Sequence, residues 1–403
     1  MRRVDRLIGA PMCALLTFVR RLDDLVLRRS SQGPPKRIAV LKLAEQGATV
    51  LAYSALVRAT KMVGADNVFF VVFAENRFIL DLLEVVPKEN VVSIRTDGLV
   101  RVVLDTLKAL WRLHKEGVDA SVDFEFFARS TAILSYLSGA RIRAGYHSYF
   151  GEGSGRGDLM TQRLVLNPFL HAAEMFQTLV QSLEMPSDAF PGYGHTPPED
   201  LKLPRIKTTD EEVAELEGRL CDELGTDSKP PIVLLNANCG DLLPLRRWAE
   251  DRYVELAHRL LETDPEIAIV LTGAPSEAPP AEALAARIGS PRCVSFAGKT
   301  TLRQLMVLYD LSEVMVTNDS GPAHYSTLTS VDVVTIFGPE TPAVFGARTD
   351  RSHLLWAGLA CSPCVNAFND RQSACPRNLC MEAVTVDMVF ETVRGVLERR
   401  LGQ

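Results

Sequence analysis

The sequence is short of several features that would each have pointed somewhere. It has no excess of basic charge: Lys and Arg total 44 against 50 Asp and Glu, a formal net charge of -6. The electrostatic footprint of a nucleic-acid binder is therefore missing. No stretch reaches the ~18 consecutive apolar residues that a membrane-spanning helix needs. The first residues carry no small-residue cleavage site of the secretory kind, so the expected compartment is the cytoplasm. Glycine-rich phosphate loops are also wanting. The turn after the first confident strand reads Ala44-Glu45-Gln46-Gly47-Ala48, which is neither G-x-G-x-x-G nor G-x-x-x-x-G-K. That argues against a conventional dehydrogenase and against a P-loop ATPase.

What is present is a long chain with a regular rhythm. At 403 residues, 47% of them apolar, it exceeds one ordinary core and suits two α/β domains. Short β-branched runs at 37–43, 67–73, 91–94 and 120–124 alternate with amphipathic stretches at 49–63, 77–85, 100–116 and 127–137. After a proline-rich passage at 186–204 the alternation resumes, with strands expected at 232–236, 267–272, 293–296, 313–317 and 333–337. Alternation with short connections predicts mostly parallel, doubly wound sheets. The expected domains are 36–200 and 207–385, flanked by an N-terminal helix within 1–30 and a C-terminal helix at 386–403 that closes the second domain or crosses back to the first.

Two segments break the rhythm. Residues 1–29 place Val4, Leu7, Ile8, Met12, Leu15, Leu16, Val19 and Leu22 at helical spacing. Arg2, Arg3, Arg6, Arg20, Arg21, Arg28 and Arg29 gather toward the two ends. A basic amphipathic helix can lie in a membrane interface; the alternative is a helix packed on the protein itself. Pro11 implies a kink or a late start. Residues 146–170 are glycine- and aromatic-rich and read as a long loop, in which Tyr146, His147, Tyr149 and Arg156 are candidate substrate contacts.

The most informative stretch is 310–342. A strand ends at Thr317, Asn318-Asp319-Ser320-Gly321 is a dense turn signal, and Pro322 suits a first helical turn. The free N–H groups of such a helix, with the Ser320 hydroxyl and the His324 ring, would suit a diphosphate. An ordinary turn with a buried histidine is the plainer reading.

Together with this block, NDSGPAHYST at 318–327, the segments LPLRRWAEDRYVELAHRL at 243–260 and RIAVLKLAEQGATVLAYSAL at 37–56 resemble the heptosyltransferase-like glycosyltransferases, family 9. The resemblance runs over roughly 36–393. It implies a GT-B fold, two Rossmann-like α/β domains with an interdomain cleft. It also implies an inverting, metal-independent transfer of a sugar, heptose among the candidates, from a nucleotide sugar (an ADP-sugar favoured) to a lipopolysaccharide or other lipid-linked acceptor. The implied location is the cytoplasmic face of the inner membrane, with the N-terminal helix on the lipid surface. On this resemblance Asp319, Ser320, Gly321, Pro322 and His324 fall on the donor-binding block. Thr272 and Gly273 end a neighbouring strand and suit the nucleotide, and Arg246 or Arg247 suits the phosphates. Two other readings remain: a sugar-nucleotide epimerase or hydrolase of the same fold, and a catalytically silent sugar-nucleotide binder.

One departure matters. The family's first loop reads glycine then aspartate, the aspartate being the base; here Ala48 follows Gly47. The candidates to replace it are Glu45 on the same loop and Asp123 and Glu125 at the end of the fourth strand, where such sheets place ligands. Finally, Cys361, Cys364, Cys375 and Cys380 crowd the C-terminal part. Four thiolates including a C-x-x-C pair suit a structural zinc; a set of buried thiols is the alternative. Arg371 and Arg377 in the same segment are candidates for a donor rim.

Overall fold

The computed structural model describes residues 5–27, 33–149, 151, 155–186, 189–190, 202–240, 243–369 and 371–402. Arg2, Arg3, Val4, Arg28 and Arg29 of the expected N-terminal helix, and 191–201 of the expected crossing, lie outside them. The chain divides into two compact units, Met1–Lys202 with Ala367–Asp370, and Leu203–Asn366 with Arg371–Gln403.

In the first unit, helix α1 (Ala10–Leu27) follows a π-helical turn, Asp5–Gly9, so Pro11 sits in the first α-helical turn and does not kink the helix. The sheet then opens with β1 (Ile38–Leu41). Helices α2 (Gln46–Leu51) and α3 (Tyr53–Val63) share the span expected to be a single helix. Next come β2 (Val68–Phe73), α4 (Arg77–Leu83), β3 (Val91–Ile94), α5 (Leu99–Lys115), β4 (Ala120–Asp123), α6 (Arg129–Leu137), β5 (Ile142–Tyr146), β6 (Gln162–Leu164) and α7 (Ala172–Gln181). The six strands are parallel in the order β3-β2-β1-β4-β5-β6. Strand β6 lies inside the segment expected to be a loop. With three residues, Gln-Arg-Leu, it is too short and too polar to show an apolar run.

The second unit repeats the plan: α8 (Asp210–Leu224), β7 (Ile232–Asn236), α9 (Glu250–Thr263), β8 (Ala268–Leu271), α10 (Ala278–Ile288), β9 (Cys293–Ser295), α11 (Leu302–Asp310), β10 (Val314–Asn318), α12 (Gly321–Tyr325), β11 (Asp332–Phe337), α13 (Pro342–Phe345), β12 (Ser352–Trp356), α14 (Leu379–Glu382) and α15 (Val386–Leu401). Its sheet is again six-stranded and parallel, ordered β12-β11-β10-β7-β8-β9. Strands β7, β10 and β11 are buried along their whole length. Helices cover both faces of a parallel sheet, so its central strands read as continuous apolar runs, which is why they were legible. Edge strand β12 is half-exposed and was not anticipated.

Helix α15 packs on α9 and on β10, β11 and β12 within this unit. Its last turn is tied down by charge: Arg400 Nε lies 2.7 Å from Glu313 Oε2 and its Nη1 3.1 Å from Asp332 Oδ2, while Arg399 also pairs with Asp332. Trp248, wholly buried, donates its indole N–H to the Val384 carbonyl at 2.9 Å. That bond joins the start of α9 to the approach of α15.

Candidate active site

In the second unit the site is built where β7, β8, β10 and β11 end. Asn318, the last residue of β10, is fully buried. Its Oδ1 accepts from Trp248 N–H at 2.9 Å, and its Nδ2 donates to the Ala237 and Asn238 carbonyls at 3.0 and 3.3 Å. One side chain thus fixes the loop after β7, and the Arg246-Arg247 pair on that loop, against the end of β10. The two arginines then part. Arg247 is exposed; Arg246 turns in, with Nη1 3.6 Å from Asp319 Oδ2 and 3.4 Å from Glu340 Oε2. Arg371 Nε reaches Glu340 Oε1 at 3.7 Å. Arg377 stays out, pairing with Glu382 at 3.6 Å.

Glu340 was not anticipated. It follows β11 in Gly338-Pro339-Glu340, and a carboxylate just past a parallel strand's C-terminal end was the available signal. Burial pushes its carboxyl up to about 8, with nearby Asp319 adding to the rise and Arg371 and Arg246 opposing it. Two buried acids and two guanidinium groups therefore share a small space, with one of the acids pushed toward its protonated form. Within it, Ser320 Oγ and Arg246 Nε are buried without a hydrogen-bond partner among the described residues. Such orphaned groups are costly unless a ligand satisfies them. Helix α12 spans only five residues, so its N-terminal dipole contributes less than the turn signal suggested. The positive charge here comes from arginine. Pro322 occupies its first turn as expected, and His324 is buried on it. Beside these groups, Thr272 Oγ1 accepts from Asn236 Nδ2 at 3.2 Å and Gly273 packs on Asn238 and Glu277. A pocket lined by Ala237, Asn238, Leu271, Thr272, Ala281 and Leu284 adjoins them.

The first unit holds a second cluster. Lys42, at the end of β1, is almost fully buried; its Nζ lies 3.3 Å from Glu45 Oε2 and 3.1 Å from Glu125 Oε1. Glu125 Oε1 also accepts the Leu43 and Ala44 N–H groups, each at 3.0 Å, so it braces the loop after β1. Glu45 caps α2 in a left-handed conformation, φ 68°. A non-glycine residue held there costs roughly 1–3 kcal/mol, and such strain gathers at functional positions. Asp123 differs from both. It is wholly buried, ion-paired to Arg156, and accepts from Thr131 Oγ1 at 3.0 Å and Glu125 N–H at 2.9 Å. Burial lifts its carboxyl to about 6 in spite of Arg156. Its oxygens are occupied by internal partners.

Tyr146 and Arg156, expected to touch substrate, turn inward: the Tyr146 hydroxyl donates to the Met175 carbonyl at 3.1 Å, and Arg156 is committed to Asp123. The Tyr149 hydroxyl donates to the Arg163 carbonyl at 2.9 Å, and His147 meets Tyr149 edge to face. The cysteines give a clearer correction. Among the described residues no group of three or more His, Cys, Asp or Glu side chains is placed to hold a metal. Cys361 and Cys375 are exposed and Cys380 is buried. Cys364 Sγ lies 3.4 Å from Ser373 Oγ, and the Cys375 thiol points to the Arg377 carbonyl at 2.5 Å. The structural zinc expected at this quartet is not supported.

Comparison with known proteins bears on the whole arrangement. The model of glycosyltransferase family 9 (heptosyltransferase) matches residues 112–374, more than half of the chain. The chain belongs to that family. A lipopolysaccharide heptosyltransferase 2 of Salmonella typhimurium is 26% identical over 148 residues, 36% of this family 9 chain and 40% of the relative. The lipooligosaccharide heptosyltransferase 2 of Campylobacter jejuni is 30% identical over 107 residues, 26% of this chain and 32% of the relative. The matched part thus spans well under half of each relative. By fold the likeness is wider. The structure of E. coli ADP-heptose lipopolysaccharide heptosyltransferase II superposes with a TM-score of 0.66 at 18% identity, covering 90% of this chain and 99% of that one. E. coli heptosyltransferase WaaC with ADP gives 0.59 at 17% identity, covering 89% of this chain and 99% of that one. The twin parallel sheets of this family 9 member are those of the GT-B fold, as the resemblance implied.

Proposed function

We propose that the chain is an inverting glycosyltransferase that moves a sugar of the heptose class from an ADP-linked donor to a hydroxyl of a lipid-carried saccharide such as a lipopolysaccharide core. The reading is carried by one observation: the buried Arg246–Glu340–Arg371 cluster beside the orphaned Ser320 hydroxyl. A diphosphate would satisfy both. It would take Arg246 from its carboxylate partners and accept from Ser320. The arginines would then offset the charge that develops as the nucleoside diphosphate leaves, with no divalent cation needed for that task. Asp319 is a poor phosphate neighbour and suits a sugar hydroxyl instead.

For the proton, Glu45 is the best placed of the three candidate carboxylates. Glu125 is occupied in bracing the loop and Asp123 is enclosed. Glu45, about a third exposed and oriented by Lys42, stands three residues before Ala48, where the family resemblance implies the base. In the step, Glu45 accepts the acceptor hydroxyl proton. The oxygen bonds to the anomeric carbon from the face opposite the diphosphate, and the carbon–phosphate oxygen bond breaks with inversion. Related proteins have names tied to lipopolysaccharide and lipooligosaccharide, which supports a lipid-anchored acceptor at the cytoplasmic face of the inner membrane.

The test is calorimetry with ADP-, GDP-, UDP- and CDP-sugars on the full chain and on Arg246→Ala and Ser320→Ala. Tight binding of an ADP-sugar, weakened by both substitutions, is expected; indifference to every nucleotide sugar would sink the reading. A silent binder is kept in view by Ala48 alone. Single-turnover assays with deacylated lipopolysaccharide fragments separate it from the transferase, since a silent binder would take up donor and release no ADP.

A further inference from the structure

Helix α1 is built inside out. Its inner face is narrow and largely polar. Asp5, just before it, caps α6 by accepting from the Arg129 and Ser130 N–H groups at 3.3 and 2.8 Å. Thr17 Oγ1 accepts from Asp158 N–H at 2.9 Å, and Arg20 pairs with Asp158 at 2.6 Å. A modest apolar contact accompanies these bonds, Cys13 and Leu16 with Ala132, Ile133, Tyr136, Leu159 and Met160. Two glycines let the helix sit this close. A Cβ on Gly155 would lie 2.7 Å from Ala10 Cβ, and one on Gly157 2.5 Å from Thr17 Oγ1. Part of the segment expected to bind substrate, residues 155–158, seats this helix.

The outer face is the apolar one. Leu7 is 75% exposed, Leu15 58% and Phe18 61%, and from 7 to 22 Arg21 is the one charged side chain that is exposed. An ordinary surface helix has the opposite polarity.

Helix α5 repeats the pattern in the same layer. Leu134 of α6 shares a core cluster with Ala109 and Leu113 of α5, while Ala132 of α6 meets Cys13 of α1. The three helices therefore cover one face of the first sheet. On α5, Leu99, Val103, Leu107 and Trp111 recur every fourth residue and are 50–75% exposed. Exposed Lys108 and Lys115 flank them, with the Lys115 ammonium 5.2 Å from the Trp111 ring centre. The acids nearby are neutralised: Asp105 is held by Arg95 at 2.8 Å, and Asp97 pairs with Arg101.

We infer that the outward faces of α1 and α5 together form a docking surface for an anionic lipid bilayer. Charge chooses the occupant. The chain as a whole is at -6, yet among the described residues the exposed charges on this face that no acid pairs, Arg21 and Lys115, are positive, and Lys108 lies 3.9 Å from Asp105, which Arg95 already holds. They complement anionic headgroups. A second copy docking symmetrically would set this cationic face against itself. No helix among the described residues is long and apolar enough to cross a membrane, so the surface lies in the interface, with Trp111 at headgroup level. The inference deepens the lipid-anchored-acceptor reading, on which its purpose, though not its geometry, rests.

The test is co-sedimentation of the full chain with vesicles of phosphatidylethanolamine and phosphatidylglycerol (3:1), against pure phosphatidylcholine, with ADP calorimetry alongside. Binding to the anionic vesicles should fall about tenfold or more in Leu15→Glu/Phe18→Glu and also fall in Val103→Glu/Leu107→Glu. The melting temperature and ADP affinity should be unchanged, since these side chains are exposed. Tryptophan emission should shift blue on vesicle addition, and the shift should vanish in Trp111→Phe. Vesicle binding absent in the parent chain, or undiminished by the substitutions, overturns the inference. So does a dimer in sedimentation velocity that the same substitutions dissolve. Loss of ADP binding with vesicle binding intact would instead count against the transferase reading alone.

Discussion

The chain builds one sheet plan twice and finishes the two copies differently. Both sheets are six-stranded and parallel, and both gather their charged side chains just beyond the ends of central strands. In the first, a single buried ammonium, Lys42, lies between two carboxylates. In the second, two guanidinium groups lie among two carboxylates, one of them lifted toward neutrality. The outer surfaces diverge as well. In the second unit only Leu302, Leu354, Leu379 and Met388 are large apolar side chains that stand exposed among the described residues, whereas the first unit carries whole helical faces of them. The lesson is that the fold supplies positions, and a few residues just past central strands set what each cluster can do; on the proposed function, the second takes an anion and the first a proton.

If that division is right, the two sites should fail separately. Glu45→Gln should lower kcat by ~10²–10⁴ and leave ADP binding intact by calorimetry; a loss of ADP affinity would break the division. Arg246→Ala should cost ~10²–10³ in kcat/KM and weaken ADP itself. Asp123→Asn addresses structure alone. Breaking a buried ion pair costs about 3 kcal/mol or more, so the first unit should unfold at lower denaturant while ADP still binds.

A smaller effect is expected from pH. Glu340 has its carboxyl at about 8 in the folded chain against an ordinary 4.5. The folded state thus holds a proton that the unfolded chain gives up between those values. The resulting stability is complete below the ordinary value and is lost as pH rises through about 8. The same ionisation adds negative charge beside the proposed diphosphate site. ADP affinity should fall several-fold between pH 7 and 9, and Glu340→Gln should flatten that profile. Ser320→Ala should have the smallest effect, ~1 kcal/mol in ADP binding.

The sheets were legible because central parallel strands are buried on both faces. Runs such as Ile-Val-Leu-Leu-Asn at β7 admit few other readings. Edge strands β6 and β12 were not legible, since half-exposed, three- to five-residue pieces carry no such signal. Within the site, the turn after β10 announced itself through Asp-Ser-Gly-Pro. Choosing between Arg246 and Arg247 required knowing which way the loop faces, and that depends on Asn318, 70 residues away. Glu340 was hidden because its importance comes from burial beside Asp319, which no local pattern encodes. The cysteine spacing misled for a related reason: proximity in sequence did not become a convergent set of ligands.

The seating of α1 has a consequence for handling the molecule. Trimming an amphipathic helix usually uncovers the greasy half of its contact and makes a domain sticky. Here the groove beneath the helix carries Arg129, Asp158 and the backbone around Gly155 and Gly157, which water can solvate, beside a small apolar strip of Ala132, Leu159 and Met160. A shortened chain starting after the helix should therefore be the more soluble form, and the helix itself the sticky fragment.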